Sequence, residues 1–176
     1  MSSIVVLIGV SGSGKSTLAK RSKERAESDP VKTIICSTDS FIDEEAEKLG
    51  KTYQEMMKQL QETKTFGTLT GRFYDEIEDG IKKDYNIIID RTNLSRGGRM
   101  ALLEKLKEMH KKHDKTMESM AVCLKLTREQ LDRFLSKRIE EGGKTIPSEI
   151  LENQMKNLEI PVKEEGFDRV EVYEPA

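Results

Sequence analysis

The chain has 176 residues, 35 % of them charged and 5 % aromatic with no tryptophan, and a formal charge of −2 at pH 7. That length suits one domain, here taken as 1–176, around one hydrophobic core. The near-neutral balance excludes a global basic field, so a nucleic-acid partner would need a local positive patch. No stretch approaches the roughly 20 apolar residues of a membrane span, and the opening MSSIVVLIGV meets glycine too soon for a signal peptide. The expectation is a soluble, cytoplasmic protein with no membrane partner.

Ile4 to Ile8 is an apolar run that reads as a first strand, and it delivers the chain into GVSGSGKST, Gly9 to Thr17. This stretch satisfies the phosphate-binding pattern G-x-x-x-x-G-K-[ST], with Gly9, Gly14, Lys15 and Ser16 in register between a strand and a helix-compatible segment. Glycines let successive backbone N–H groups curl around phosphate oxygens, and the following helix adds its unpaired donors and dipole. The loop predicts a nucleoside triphosphate site lined by Gly9, Ser11, Gly12, Ser13, Gly14, Lys15, Ser16 and Thr17. Lys15 would reach the β- and γ-phosphates, and the Ser16 hydroxyl would sit on a magnesium ion.

A helix from Lys15 to about Ser28 ends near Pro30. Val31 to Ser37 is the second strand and delivers Thr38, Asp39 and Ser40 at its C-terminal end. Ile42, Ala46, Leu49, Tyr53, Met56 and Leu60 recur every three or four residues, as in one amphipathic helix or two broken near Gly50. After the polar connector QETKTFG, Leu69, Phe73 and Ile77 stripe another helix up to Gly80. Tyr85 to Asp90 shows no alternation, the mark of a buried parallel strand, and runs into Arg91, Thr92 and Asn93. A helix from about Ser95 would carry Met100, Leu103, Leu106 and Met109 inward, and Met120 to Leu126 is the fourth strand.

Thr127, with Gln130 three residues on, would cap a helix whose apolar side is Leu131, Phe134, Leu135 and Ile139. That helix stops at Gly142-Gly143. Pro147 and Ser148 open a last helix holding Ile150, Met155 and Leu158, and a fifth strand lies near Val170 to Tyr173. Uniformly apolar strands alternating with helices predict an α/β fold, a parallel sheet with helices on both faces. Cys36 and Cys123 fall in strands without metal-ligand spacing and read as buried free thiols.

In open parallel sheets, ligands bind beyond the C-terminal ends of the strands. Three polar clusters land there: the phosphate loop, Thr38-Asp39-Ser40, and Asp90 to Asn93. Asp39 is the candidate general base, able to take the proton of an attacking hydroxyl; its alternative is an N-cap for the helix that follows. Asp90 suits the magnesium side of the site, or else a turn or cap. Thr38, Arg91, Asn93 and Arg96 are candidate substrate contacts, although Thr92 and Asn93 also suit fixing the turn or holding Asp90.

Arg133, Lys137 and Arg138 lie just before Gly142-Gly143. On a movable lid of about 128–146 they would neutralise a phosphoryl group in flight, Arg138 foremost and Arg133 as a nucleotide contact. With Glu129, Asp132, Glu140 and Glu141 beside them, they could equally form a salt-bridged outer surface. Residues 91–115 hold eight lysines and arginines against three acids, the one stretch with a real positive surplus. Arg91, Arg96 and Arg99, nearest the strand ends, could meet the phosphates of a polynucleotide. His110 and His113 read as surface residues.

Taken together, GVSGSGKST, STDSF at Ser37 to Phe41, IIIDRTN at Ile87 to Asn93, GGKTIP at Gly142 to Pro147 and EGFDRV at Glu165 to Val170 resemble one family. That family is the 5′-kinase domain of polynucleotide kinases of the phage and animal DNA- and RNA-repair type. The resemblance runs from Ile4 to about Tyr173. It implies a three-layer P-loop kinase fold with a helical lid, ATP and Mg2+ as cofactors, and transfer of the γ-phosphate to a 5′-hydroxyl end of DNA or RNA. It also implies roles: Lys15 on phosphate, Ser16 on metal, Asp39 as base, Asp90 as the aspartate of D-x-TN, and Arg138 on the transferring phosphate.

Three positions depart from the pattern. Arg91 follows Asp90 where the animal enzymes usually have Asn. Ile42 stands where the phage enzyme has an arginine, and Phe134 falls near another of its lid arginines, with Arg133 one step out of register. The residues leave two other readings open: a kinase for a small metabolite or nucleoside, and a nucleotide-dependent switch that binds a protein.

Overall fold

The structure, a computed structural model, describes residues 2–175; Met1 and Ala176, part of the domain expected over 1–176, lie outside the described residues. Its centre is a five-stranded parallel sheet of β1 (Ser2–Ile8), β2 (Thr33–Cys36), β3 (Asn86–Asp90), β4 (Met117–Leu124) and β5 (Arg169–Tyr173). The strand order is β2-β3-β1-β4-β5. β1 is paired on both edges, with Val6 opposite Ile89 of β3 and Ala121 of β4. A strand bonded on both sides and covered on both faces meets no water, which is why its sequence does not alternate.

Helices α1 (Lys15–Arg25), α2 (Thr38–Lys48), α3 (Tyr53–Thr63), α4 (Phe66–Lys82), α5 (Arg96–Lys112), α6 (Arg128–Glu140) and α7 (Ser148–Asn157) connect and cover the strands. Side chains alternate across β1. Ile4, Val6 and Ile8 pack on Phe73, Ile77 and Ile81 of α4 and on Leu102, Leu103 and Leu106 of α5. Val5 and Leu7 point the other way, into a cluster with Leu18 and Ala19 of α1. The result is a three-layer α/β fold. From β1 the chain first winds to one side through β2 and β3, then crosses β1 to reach β4. The crevice beyond the carboxyl end of β1 is therefore the switch point where open sheets take ligands.

Two smaller apolar clusters sit beside the main core. Ile42, Ala46, Met56, Leu60 and Leu69 join α2, α3 and α4. Val10 of the phosphate loop is buried with Leu131, Leu135 and Leu151, so α6 and α7 are anchored to the loop itself.

Of the two arrangements open for residues 42–60, the structure has two helices. Gly50 takes φ +64, and Thr52 and Glu55 form a reciprocal capping box at the start of α3. Leu49 is consequently outside the buried stripe, as a solvent-exposed C-cap. Met100 also lies outward; the inner stripe of α5 is Arg99, Leu102, Leu103, Leu106 and His110. On α6 the stripe is only Leu131 and Leu135, with Phe134 and Ile139 exposed, because the helix packs through one narrow contact with the phosphate loop.

His110 is buried rather than on the surface. Its Nδ1 lies 2.7 Å from the Leu106 carbonyl oxygen, and burial holds its pKa below the ordinary histidine value. Cys36 and Cys123 are buried free thiols, pushed up to about 12 and about 11 by burial. Among the described residues no helix is long and apolar enough to cross a membrane.

Much of the basic surplus at 91–115 is paired within the chain, most of it at the surface. Lys105 stands over the Tyr74 ring, Lys112 and His113 meet Glu78, and Lys115 meets Asp84. Arg96 donates to the Ile160 carbonyl oxygen and lies near Glu159 and Glu165. Arg99, expected toward a polynucleotide, is fully buried in a two-point pair with Glu165.

Candidate active site

The phosphate loop leaves β1 at Ile8 and is tied to the turn after β3 at once, the Gly9 N–H donating to the Thr92 carbonyl oxygen at 3.0 Å. Asn93 reinforces the tie, its side-chain amide donating to the carbonyl oxygens of Leu7 and Arg91. Asn93 itself sits at φ +48, a left-handed turn position that Asn tolerates. Thr92 and Asn93 thus hold the aspartate turn against the phosphate loop.

Gly12 and Gly14 both have left-handed φ values, +81 and +98. A Cβ at Gly12 would fall 2.4 Å from Leu135 Cδ2, so α6 rests directly on the loop. A Cβ at Gly14 would meet no atom within 4 Å, which leaves room at the N-terminus of α1. The Ser13 hydroxyl is buried without a hydrogen-bond partner on the Gly9 side of the loop. The open space and the helix N-terminus fit a phosphate chain.

Lys15 is 7 % exposed and reaches back across the loop, its Nζ donating to the Val10 carbonyl oxygen at 2.9 Å. Burial lowers its pKa to about 8; Asp90 and Asp39 pull the other way, and Arg138 adds a smaller repulsion. Asp90 on β3, Asp39 on α2 and Arg138 on α6 are thus the charges that act on Lys15. Ser16 Oγ donates to Asp90 Oδ2 at 2.7 Å. Among the described residues no cluster of three or more His, Cys, Asp or Glu could hold a metal ion alone. A hydroxyl beside one carboxylate nevertheless matches Mg2+, which binds through one or two protein oxygens, substrate phosphates and water.

The depressed lysine pKa has a testable sign. Unfolded, Lys15 titrates near 10.5; folded, near 8. Below pH 8 the fold must bury an ammonium ion, and stability rises as pH climbs from 8 toward 10.5, where only the unfolded chain stays protonated. Lys15→Met is expected to stabilise the nucleotide-free protein by about 2 kcal/mol at pH 7, once the lost hydrogen bond is set against the relieved charge burial. Thermal melts across this pH range should show the advantage of the variant shrinking as pH rises and reversing at the alkaline end, where only the lost hydrogen bond separates the two proteins.

Asp39 is in the first turn of α2, exposed, and is not its N-cap, which is Ser37. Thr38, at the first position of the same helix, is half-buried. Asp39 Oδ1 accepts from the Tyr53 hydroxyl at 2.7 Å. Arg138 and Arg133 part company on α6. Arg138 lies roughly 60° round the helix from Leu135 and comes near Lys15; Arg133 lies roughly 160° round. Arg133 lines an open depression with Lys137, Ser136, Glu129, Asp132 and Glu140. Gly143 presses on Arg138, its N–H donating to the Arg138 carbonyl oxygen at 2.7 Å. Ser11 lies in the loop and Thr17 in the first turn of α1, and Arg91 lies with its guanidinium 4.9 Å from the Phe73 ring centroid.

Several residues at the site carry no sequence signal of that role. Gln154 of α7 accepts from the Ser11 N–H at 2.7 Å, placing a neutral side chain on a loop amide. Lys144 pairs with Asp43 and stands 4.0 Å from the Tyr53 ring centroid. Gln54 donates to the Thr145 carbonyl oxygen, so residues 144–145 are seated on the start of α3. Tyr53 reads from the sequence as one more apolar stripe position; its place right after Thr52, inside the Thr52–Glu55 capping pair, is the only hint of a helix-end role. The EGFD segment is scaffold: Glu165 holds Arg99, and Asp168 accepts from the Ser119 N–H, fastening β5 to β4.

Comparison with known proteins gives one family and one shared fold. No curated protein matches the sequence. Among solved structures, a candidate kinase from Chloroflexus aurantiacus J-10-fl shares 16 % identity at a TM-score of 0.67, over 98 % of this chain and 85 % of that one. A structure from the PezAT chromosomal toxin-antitoxin system of Streptococcus pneumoniae shares 20 % identity at 0.62, over 99 % and 67 %. A fungal RNA kinase shares 14 % at 0.57, over 97 % and 74 %. These likenesses show a P-loop kinase-like fold, broader than the polynucleotide kinase group that the motifs resemble. The AAA domain family matches residues 4–161, nearly the whole of the sheet and the phosphate loop at its centre, and the chain belongs to that family.

Proposed function

We propose that this protein is a P-loop phosphotransferase that moves the γ-phosphate of ATP to a hydroxyl, and that the acceptor is the 5′-hydroxyl end of DNA or RNA. The observation that carries the reading is the phosphate loop itself, with Lys15 buried across it, Ser16 bonded to Asp90, and the charges of Asp39 and Arg138 acting on Lys15. Asp39 takes the proton of the acceptor hydroxyl as its oxygen bonds to the γ-phosphorus, and the diphosphate departs with the bridging oxygen. Lys15 and Arg138 neutralise the oxygens of the group in flight. Ser16 and Asp90 would hold Mg2+, which when bound supplies positive charge to the phosphate oxygens. Both cysteines are buried with raised pKa values, so neither offers a thiolate nucleophile, and the transfer in this reading is direct.

The 5′-end acceptor is supported by the motif set and by the fold shared with an RNA kinase. One observation favours a second reading, a small hydroxyl metabolite or nucleoside as acceptor. Arg96, Arg99, Lys105, Lys112 and Lys115 are all engaged internally, so most of the local basic patch that a nucleic-acid backbone would use is spent.

Transfer from radiolabelled ATP to 5′-hydroxyl oligonucleotides, run beside a panel of nucleosides and sugars, separates the two. We expect label on the oligonucleotide, with a rate that falls as salt rises. Label on a small molecule alone would replace that acceptor with the second reading. Label on neither would remove the phosphotransferase reading in favour of a nucleotide switch.

A further inference from the structure

The phosphotransferase reading assigns Asp39 but leaves unexplained why an exposed carboxylate should hold one orientation. Its Oδ1 is tied to the Tyr53 hydroxyl at 2.7 Å. Tyr53 is the first residue of α3, whose start is locked by the capping box: the Thr52 N–H donates to Glu55 Oε2 at 2.8 Å and the Glu55 N–H to Thr52 Oγ1 at 3.2 Å. Met56 and Leu60, on the same helix, are buried against Ile42 and Ala46 of α2. Donor and acceptor are thus carried by two helices fixed to each other by packing.

The ring of Tyr53 is claimed from a third direction. Lys144, in the segment after α6, places its ammonium 4.0 Å from the ring centroid and pairs with Asp43 of α2. Burial and the adjacent Asp39 carboxylate push the phenol above its ordinary pKa, so it remains a donor throughout the working pH range.

We propose that Tyr53 is the positioning residue for Asp39, occupying Oδ1 so that Oδ2 is left to the acceptor hydroxyl, and that the Lys144 contact seats Tyr53 when the segment after α6 lies on α3. The inference rests on Asp39 being the base. The charged and titratable groups around the pair are Lys15 from α1, Asp43 from α2 and Lys144 from the segment after α6, with Asp90 and Arg138 facing Lys15.

Tyr53→Phe keeps the ring, its packing and its cation contact, and deletes only the hydroxyl. In the full chain with Mg2+ and ATP, transfer to a 5′-hydroxyl oligonucleotide and phosphate release to water, the smallest hydroxyl acceptor, are both measured. The kcat is expected to fall roughly 10- to 100-fold with the KM for ATP little changed, as for loss of a hydrogen bond to a charged group. Lys144→Met should lower kcat in the same way by less. A kcat equal to that of the unmodified protein, or a loss that appears in the KM for ATP instead of in kcat, overturns the proposal. Asp39→Asn run in parallel separates the two levels: retained transfer there removes Asp39 as base, whereas lost transfer beside an unaffected Tyr53→Phe removes only the role of Tyr53.

Discussion

Asp39→Asn is expected to cut phosphoryl transfer by about 10³-fold while ATP binding is retained. A positioned general base contributes about 10²- to 10⁴-fold, and the amide cannot accept a proton. The substitution is nearly isosteric, and the amide oxygen can still accept from the Tyr53 hydroxyl, so α2 and α3 should stay in place. Initial rates give the first quantity and calorimetric titration with ATP the second. Retained transfer would show that the base lies elsewhere; lost ATP binding would show that Asp39 serves the nucleotide and not the acceptor. Part of the negative field around Lys15 comes from Asp39, so the titration is best made well below pH 8, where the lysine is charged in both proteins.

The second large effect is on stability. Arg99→Met is expected to destabilise the protein by about 3 kcal/mol, near the lower end of the range for breaking a buried ion pair. For a chain of this size that is roughly a 10 °C fall in melting temperature. Arg99 meets Glu165 at 2.6 and 3.0 Å, and both side chains are almost wholly buried. Its removal strands a carboxylate, although Arg96, 3.6 Å from the same group, softens the loss. Replacing Glu165 by Met as well should recover most of the stability, since a buried pair is often matched by apolar residues of similar volume. Transfer activity should not return with it. Arg99 Nη1 also donates to the carbonyl oxygens of Asn93 and Leu94, both at 2.8 Å, so it holds the turn that presents Asp90. Full activity in the double variant would show that this turn keeps its place without Arg99.

The fold and the phosphate loop were legible because their signals are local. The G-x-x-x-x-G-K-[ST] spacing requires only eight consecutive residues to fall in register. The buried strands announce themselves by unbroken apolar runs, and Thr127 with Gln130 forms the capping box its spacing predicts. Misplaced stripe members, such as Met100 and Phe134, were apolar residues near the right period but on the wrong side of it. On α5 the inward position belongs to Arg99, a charged residue whose burial is tolerable only because Glu165 lies opposite it.

What the sequence by itself determined is the parallel α/β architecture and the presence of a phosphate cradle ending in Lys15 and Ser16, since both follow from residue type and short-range period. The tertiary structure alone decided which charges face one another. Ser16 meets Asp90 across a separation of 74 residues, and Arg99 meets Glu165 across 66. It also paired much of the basic run at 91–115 with α4 and the EGFD segment, burying Arg99 among them, and brought Tyr53 to Asp39. No short-range period encodes such pairings. They depend on the crossover that carries the chain past β1, and on the energetic cost that obliges a buried polar group to find a partner wherever the chain brings one.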